Sequence, residues 1–331
     1  MRVNGWLVRL LWERALRLAL LLPLAAICLF TLVSLAPLDP IRAFVGARMA
    51  LIGPEQQAQI AEVWGLNEPP TQRFLLWAGQ VLQGDFGDSM AYNAPVLQVI
   101  AANFPPTLVL LVVAFVLALV LGMAAGMAAA VWRGRWPDRL IRTGAVIVAA
   151  SPGFWIAILL IAVFAVALGW LPACCAMSPG RLASESALGD RLRHMILPVL
   201  ALSVVNMPSV ILISRQKLIG FLEGPAAAHL RVHGYSDLGI ARGPGLRHTL
   251  GTALAVHLAS AGELFGGAVL IETAFALQGM GQATARAALG GDVPLLLGIG
   301  LATLIFVFIG NTLADVAAGL LDHRQRSGYR S

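Results

Sequence analysis

The feature that most constrains this chain is a series of long stretches without a charged side chain. Residues 18–38 hold 21 consecutive positions free of Asp, Glu, Lys and Arg. As an α-helix that stretch measures about 31 Å, the thickness of a bilayer's hydrocarbon core. Comparable runs lie near 107–132, within 143–180 (the span ending near 168), at 194–214, and at 293–314 with the helix continuing to 320. A helix satisfies its own backbone polar groups, which is what lipid demands of a spanning segment. A further span is read near 250–275, although it carries His257, Glu263 and Glu272. Its Gly262, Gly266 and Gly267 would let a neighbouring helix approach closely. The fold class is therefore an all-α membrane protein with six transmembrane helices.

Composition agrees. Apolar residues make up 58% of the 331 and charged residues 12%, with a mean hydropathy of +0.80. Soluble domains carry about twice that charge fraction, so lipid must solvate much of this surface. The net charge of +6 does not indicate nucleic acid, because the charges form short clusters between apolar runs, with no basic stripe. No metal site can be assigned. Cys28, Cys174 and Cys175 include no C-x-x-C pair and read as small buried or interfacial residues. The adjacent Cys174 and Cys175 could touch metal or oxidise, but two thiols alone do not make a site.

Orientation follows from Lys and Arg. Sixteen of the 23 fall in the N-terminal segment, residues 133–142, residues 215–247 and the C-terminal tail. The positive-inside rule then places both termini in the cytoplasm. The resulting division is a cytoplasmic N-terminus (1–17), a first transmembrane helix (18–38), a periplasmic loop with short surface helices (39–106), a core with five transmembrane helices (107–320) and a cytoplasmic tail (321–331). A connection at 215–249 lies on the cytoplasmic side. The apolar run at 18–38 is too long for a signal h-region and reads as a retained helix.

Several chemistries are excluded. The only lysine, Lys217, is preceded by Ile-Ser-Arg-Gln, so G-x-x-x-x-G-K-[ST] cannot occur and any ATPase must be another chain. H-E-x-x-H and G-x-S-x-G are absent as well. Charged residues at bilayer depth face a cavity or a partner. Glu263 either lines a pathway for a cationic or amine-bearing substrate or hydrogen-bonds a neighbouring helix. Glu272 reads as structural or gating, and His257 as a satisfied buried imidazole or a ligand. On the cytoplasmic side, Glu223-Gly224-Pro225 opens a short helix that ends at Gly234, with proline at its start and glycine at its cap. Such a helix suits docking into a soluble partner, or it lies on the membrane surface.

In order along the chain stand Gly65-Leu66-Asn67-Glu68-Pro69-Pro70, Trp77, Gly84-Asp85-Phe86-Gly87-Asp88-Ser89, Pro105-Pro106-Thr107-Leu108 and Ser151-Pro152-Gly153-Phe154-Trp155. Then come His194-Met195-Ile196-Leu197-Pro198, Gly266-Gly267-Ala268-Val269, Glu272-Thr273-Ala274-Phe275, Gly279-Met280-Gly281 and Asp292-Val293-Pro294. This series resembles the first permease subunit of the dipeptide, oligopeptide and nickel family of ABC importers. The resemblance covers almost the whole chain and implies the type I importer permease fold, with a structured periplasmic loop. It implies a non-catalytic subunit with no cofactor of its own, ATP and Mg being bound by partner chains. The implied partners are a second paralogous permease, two cytoplasmic ATPases and a periplasmic substrate-binding protein, besides the lipid bilayer. It places ATPase coupling at Glu223, Ala227, Arg231 and Gly234, and the translocation pathway at Glu263, Gly266, Gly267 and Glu272.

Two departures stand out. The family's coupling loop reads roughly A-R-A-K-G followed nine residues on by R-H-A-L-R. Here Arg231 and Gly234 remain, His233 replaces lysine, and Arg247-His248 follows thirteen residues after Gly234. About four residues are inserted, in a stretch with Gly239, Gly243, Pro244 and Gly245. That implies altered docking or a divergent ATPase partner. Secondly, Gly262-Glu263-Leu264 before the paired glycines is more similar to nickel-type than to peptide-type members. A pathway carboxylate suits a cation or metal chelate. The expectation leans to nickel or metal chelate, with a di- or oligopeptide as the alternative. More distant readings are a membrane-embedded hydrolase using Ser203 and His257, or a non-transporting scaffold.

Overall fold

The computed structural model describes residues 3–35, 53, 55, 68–175 and 188–321. Within them run α1 (Val3–Leu35), α2 (Pro70–Leu82), a two-stranded antiparallel hairpin of β1 (Asp88–Ser89) and β2 (Ala94–Pro95), and α3 (Val96–Val131). Next are α4 (Trp136–Ala150), α5 (Gly153–Leu160) with a π-helical continuation (Ile161–Ala167), α6 (Leu188–Leu222) and α7 (Pro225–Val232). The remainder is α8 (Asp237–Ile240), a π-helical stretch (Ala241–Gly245), α9 (Leu246–Ala259), α10 (Ala261–Ala274), α11 (Met280–Gly290) and α12 (Val293–Leu321). The sequence motif at 65–67, the amphipathic stretch at 54–64 (apart from residue 55), and the tail at 322–331 lie outside the described residues.

Four single helices among the described residues are long and apolar enough to cross a membrane, at Val8–Leu35, Val96–Val131, Gly189–Leu222 and Val293–Leu313. Two expected spans instead appear as bent pairs. The one read near 143–168 breaks between α4 and the α5 segment at 112°. Pro152 lacks an N–H and pushes Ser151 out of the helical region, to ψ 137°. The Ser151 hydroxyl donates to the Ile147 carbonyl at 2.8 Å, satisfying the broken end. The other, near 250–275, bends by 61° around Ser260.

Helix limits also differ from expectation. α1 extends far into the segment read as an N-terminus at 1–17, because Leu, Ala and Arg there are good helix formers. α3 begins at Val96, inside the expected loop 39–106, and carries Pro105 and Pro106 within it. Beside the prolines, Asn103 Nδ2 donates to the Val99 carbonyl at 2.8 Å and Thr107 Oγ1 donates to the Asn103 carbonyl at 3.2 Å. Beyond this point α3 exposes Val109, Val112, Val116 and Val120 along one face while burying Leu110, Ala114 and Ala118. An exposed apolar stripe of that length is a lipid-facing surface.

The described chain forms two compact units. One is built on Leu108–Leu277. Its centre is α6, packed by α3, α4, α5, α9 and α10. The α3–α6 approach is very close. A Cβ built on Gly126 would lie 2.5 Å from the Ile211 carbonyl oxygen, and one on Gly122 would lie 2.9 Å from Val210 Cβ. Only a bare Cα fits between these backbones, the small-xxx-small solution of membrane helices.

The other unit comprises Trp12–Thr107 with Gln278–Phe308. Phe30 of α1 meets Phe74 and Trp77 of α2, with ring centroids 5.4 and 5.7 Å away. Phe104 and Phe306 meet edge to face at 5.3 Å. The unit's polar centre is Asp292, which is fully buried. Asp292 Oδ2 accepts from the Ser89 hydroxyl at 2.6 Å and from the Ala91 N–H at 2.9 Å. Its Oδ1 accepts from the Leu295 N–H at 3.1 Å, capping α12. Two sequence motifs 200 residues apart, at 84–89 and 292–294, therefore form one structure.

Candidate functional site

The connection after α6 is the first candidate surface. Pro225 starts α7 where its missing N–H costs nothing, and Gly234 follows the helix at φ 86°. The expected helix is thus present. Tyr235 N–H donates back to the Leu230 carbonyl at 3.1 Å and closes the turn. The four-residue insertion is absorbed into helix. Ser236 caps α8 by accepting the Gly239 N–H at 3.2 Å, and residues 241–245 form π-helical turns leading into α9. A π-turn takes extra residues into a helix without a break in its course.

The four residues expected to couple to an ATPase separate in this structure. Arg231 is exposed and its Nε donates to Asp237 Oδ1 at 2.8 Å. Glu223 is exposed and pairs with Arg133. Gly234 has no atom near the position of a Cβ. Ala227, in contrast, is fully buried with Ala130, Leu218, Leu222, Ile240 and Ala241. It anchors α7 to its own subunit and cannot present a surface to a partner, because the apolar face of this short helix turns inward. Val232, Tyr235 and Leu238 are instead the exposed apolar residues here, Val232 at 84%. Sequence reading passed over them, although large apolar side chains beside an amphipathic helix were the available signal.

The residues expected to line a pathway lie on α10. Glu263 and Gly266 are exposed, and with Leu270 and Thr273 they line one helical face at spacings of three and four. Gly267 is partly buried, and its Cβ position lies 3.4 Å from a Leu202 methyl, an ordinary van der Waals distance. Gly266 faces open space. Glu272 departs from the set: it is 1% exposed, inside its own subunit. Nine residues, about two and a half turns of helix, put it on the side opposite Glu263, so the four do not form one lining.

His257 is fully buried, stacked on Phe115 with centroids 4.1 Å apart, and its Nε2 lies 3.1 Å from the Phe115 carbonyl. Ser203 Oγ is held by the Val199 carbonyl at 2.6 Å and the Ala114 carbonyl at 3.2 Å. Serine and imidazole therefore each bond to backbone, and no nucleophile–base pair forms between them. No group of three or more His, Cys, Asp and Glu able to hold a metal occurs among the described residues. Of the two outcomes open to the adjacent Cys174 and Cys175, metal contact or oxidation, the structure has the second: they form a disulfide with each other, and Cys175 N–H donates to the Phe275 carbonyl at 2.7 Å.

One polar contact was missed altogether. Buried Asp138 accepts from Arg215 Nε at 2.6 Å and Nη2 at 2.8 Å, and from the Gly134 N–H at 2.8 Å. This bidentate pair ties the foot of α4 to α6. Counting Arg215 only as an inside charge hid it. The signal was Asp138 itself, the sole acid among Arg133, Arg135, Arg139 and Arg142.

Four long apolar helices and two bent apolar pairs among the described residues, with a short amphipathic helix after α6, define an integral membrane subunit. Residues 118–327 match the family model of the binding-protein-dependent transport system inner membrane component, and the chain belongs to that family. It is 34% identical to the glutathione transport system permease protein GsiC of Escherichia coli over 92% of this chain and 94% of that one. It is 29% identical to the oligopeptide transport system permease protein AppB of Bacillus subtilis, over 89% and 92% respectively. A solved structure of the MetNI methionine ABC transporter, in an inward-facing conformation, superposes with a TM-score of 0.52 at 16% identity, covering 69% of this chain and 98% of that one. The fold is that of ABC importer permeases, and the chain is a permease component of such an importer.

Proposed function

We propose that this subunit forms half of the translocation pathway of a di- or oligopeptide importer. The observation that carries the substrate class is the similarity, over about nine-tenths of the chain, to permeases named for oligopeptide and glutathione transport. The lean to nickel or metal chelate rests on Gly262-Glu263-Leu264 alone, and relatives named for oligopeptide and glutathione transport weigh against it. A lone exposed carboxylate suits the α-ammonium group of a peptide as well as a metal cation. In this reading a second permease covers the Glu263 face, a binding protein delivers substrate, and two ATPases bind ATP and Mg and grip the 225–238 surface.

The same reading takes each bent pair as one span, giving six, with both termini cytoplasmic. The Cys174–Cys175 disulfide then falls on the periplasmic side, where oxidised pairs persist. Reconstitution with the cognate binding protein, second permease and ATPases tests the proposal. ATP-dependent uptake of labelled short peptides is expected; nickel uptake that peptides do not compete with would overturn the substrate class.

Two variants test the surfaces. Glu263→Gln is expected to slow uptake of a peptide with a free amino terminus about tenfold relative to its N-acetylated form, the scale of one charge-assisted hydrogen bond. Equal slowing of both would remove Glu263 from the pathway. Gly234→Trp places a bulky residue in a left-handed conformation that costs an L-residue about 1–2 kcal/mol, at a point where nothing in this subunit blocks it. Membrane insertion should survive while substrate-stimulated ATPase activity is lost. Normal uptake would show that no partner seats there.

A further inference from the structure

Four arginines converge on one acid at the foot of α4. Arg133, Arg139, Arg142 and Arg215 line, with Asp138 and Gln216, a cavity of about 620 Å³ between α4 and α6. Arg215 is engaged by Asp138, and Arg133 by Glu223. Arg139 and Arg142 make no ion pair among the described residues. Four guanidinium groups against the two carboxyl groups of Asp138 and Glu223 leave an excess of two positive charges at a concave site.

The surroundings indicate what supplies the negative charge. Trp136, Leu140 and Ile147 are exposed along one face of α4, at spacings of four and seven residues, and Trp132 is exposed just before it. Indole rings at the end of an apolar helix mark the membrane–water interface. The cavity thus opens where phospholipid headgroups lie, beside a surface suited to acyl chains. Guanidinium forks match phosphate oxygens in geometry and charge, and basic pockets between membrane helices on the cytoplasmic side accept anionic headgroups.

We propose that this cavity binds the phosphate of an anionic phospholipid of the cytoplasmic leaflet, whose acyl chains follow the Trp136–Leu140–Ile147 face. The leaflet rests on the orientation proposed above; the site itself does not depend on transport.

The full-length chain, purified and delipidated in detergent, is titrated with phosphatidylglycerol, phosphatidylcholine or inorganic phosphate, and bound lipid is read by native mass spectrometry. Phosphatidylglycerol should be retained in preference to phosphatidylcholine, and inorganic phosphate at equal concentration should not displace it. The double variant Arg139→Gln, Arg142→Gln, which leaves Asp138 and Arg215 in place, should lose about 30-fold of that preference, from roughly one surface-charge contribution per arginine. Arg139→Lys with Arg142→Lys keeps the charges and should keep most of the preference, which separates loss of charge from loss of fold. An unchanged preference in the glutamine variant would overturn the proposal. Displacement of the lipid by inorganic phosphate alone would overturn the lipid as occupant in favour of a free anion. Because no step requires uptake, failure here is distinguishable from failure of the importer assignment, which the reconstituted transport assay reads.

Discussion

Gly126→Leu is expected to abolish accumulation of folded protein. The Cβ position of Gly126 lies 2.5 Å from the Ile211 carbonyl oxygen, 2.9 Å from Ser214 Cβ and 3.2 Å from the Arg215 backbone nitrogen. Two of the three obstacles are backbone atoms, which no rotamer change can move. α6 would have to separate from α3 along its length, opening the contacts of Gly122 with Val210 and of Met123 with Val210 and Ala253. Overpacking costs about 1–3 kcal/mol for small additions. Gly126→Ala should therefore lower the thermal midpoint measurably, and leucine should exceed what the fold tolerates. Membrane yield and monodispersity after detergent extraction check both. Wild-type behaviour of the leucine variant would mean that α3 and α6 are not packed at this distance.

Asp292→Ala is expected to have the second largest effect. The carboxyl group accepts from the Ser89 hydroxyl and from the Ala91 and Leu295 N–H groups in a fully buried position. Each buried donor left without an acceptor costs about 1–3 kcal/mol, so the total is on the order of 4 kcal/mol. The loss is confined to the unit of the hairpin and α12. Faster hydrogen exchange is expected at Ala91 and Leu295, with the α6-centred unit unaffected. Asn retains one carbonyl oxygen, so Asp292→Asn should recover only part of the stability. Ser89→Ala, which removes one donor together with its partner's need for it, should be milder than either.

These two sites differ in how far the sequence revealed them. Asp292 was visible as part of a motif, and so was Gly84–Ser89, but nothing in one dimension joined them. The hydrogen bond between Ser89 and Asp292 arises only when the hairpin and the start of α12 meet. Gly122 and Gly126 stood in plain spacing, yet four-residue separation of small residues is common in apolar helices. The spacing acquires meaning only when a backbone lies opposite. The same holds for Asp138 and Arg215, 77 positions apart, and for Glu272, whose place on α10 depends on which face the neighbouring helices bury.

The break at Ser151–Pro152 was readable as a proline signal, because the missing donor and the restricted preceding residue act locally. Its 112° consequence was not, since the angle depends on what the two halves pack against. The inserted residues after Gly234 were visible as a length difference from the family pattern. That they enter as π-helical turns was decided by Ile240 and Ala241 reaching the buried cluster beneath α7.

By itself the sequence determined that lipid is the solvent, that helices are the spanning element, and that no ATP-cradling loop resides in this chain. Those conclusions rest on charge-free length, backbone hydrogen bonding and a single lysine, all local properties. Tertiary structure alone decided which candidate residues are anchors and which are surfaces. Asp138, Ala227, Glu272 and Asp292 are covered, while Glu223, Arg231 and Glu263 are exposed, because burial is a property of the neighbours that folding brings together.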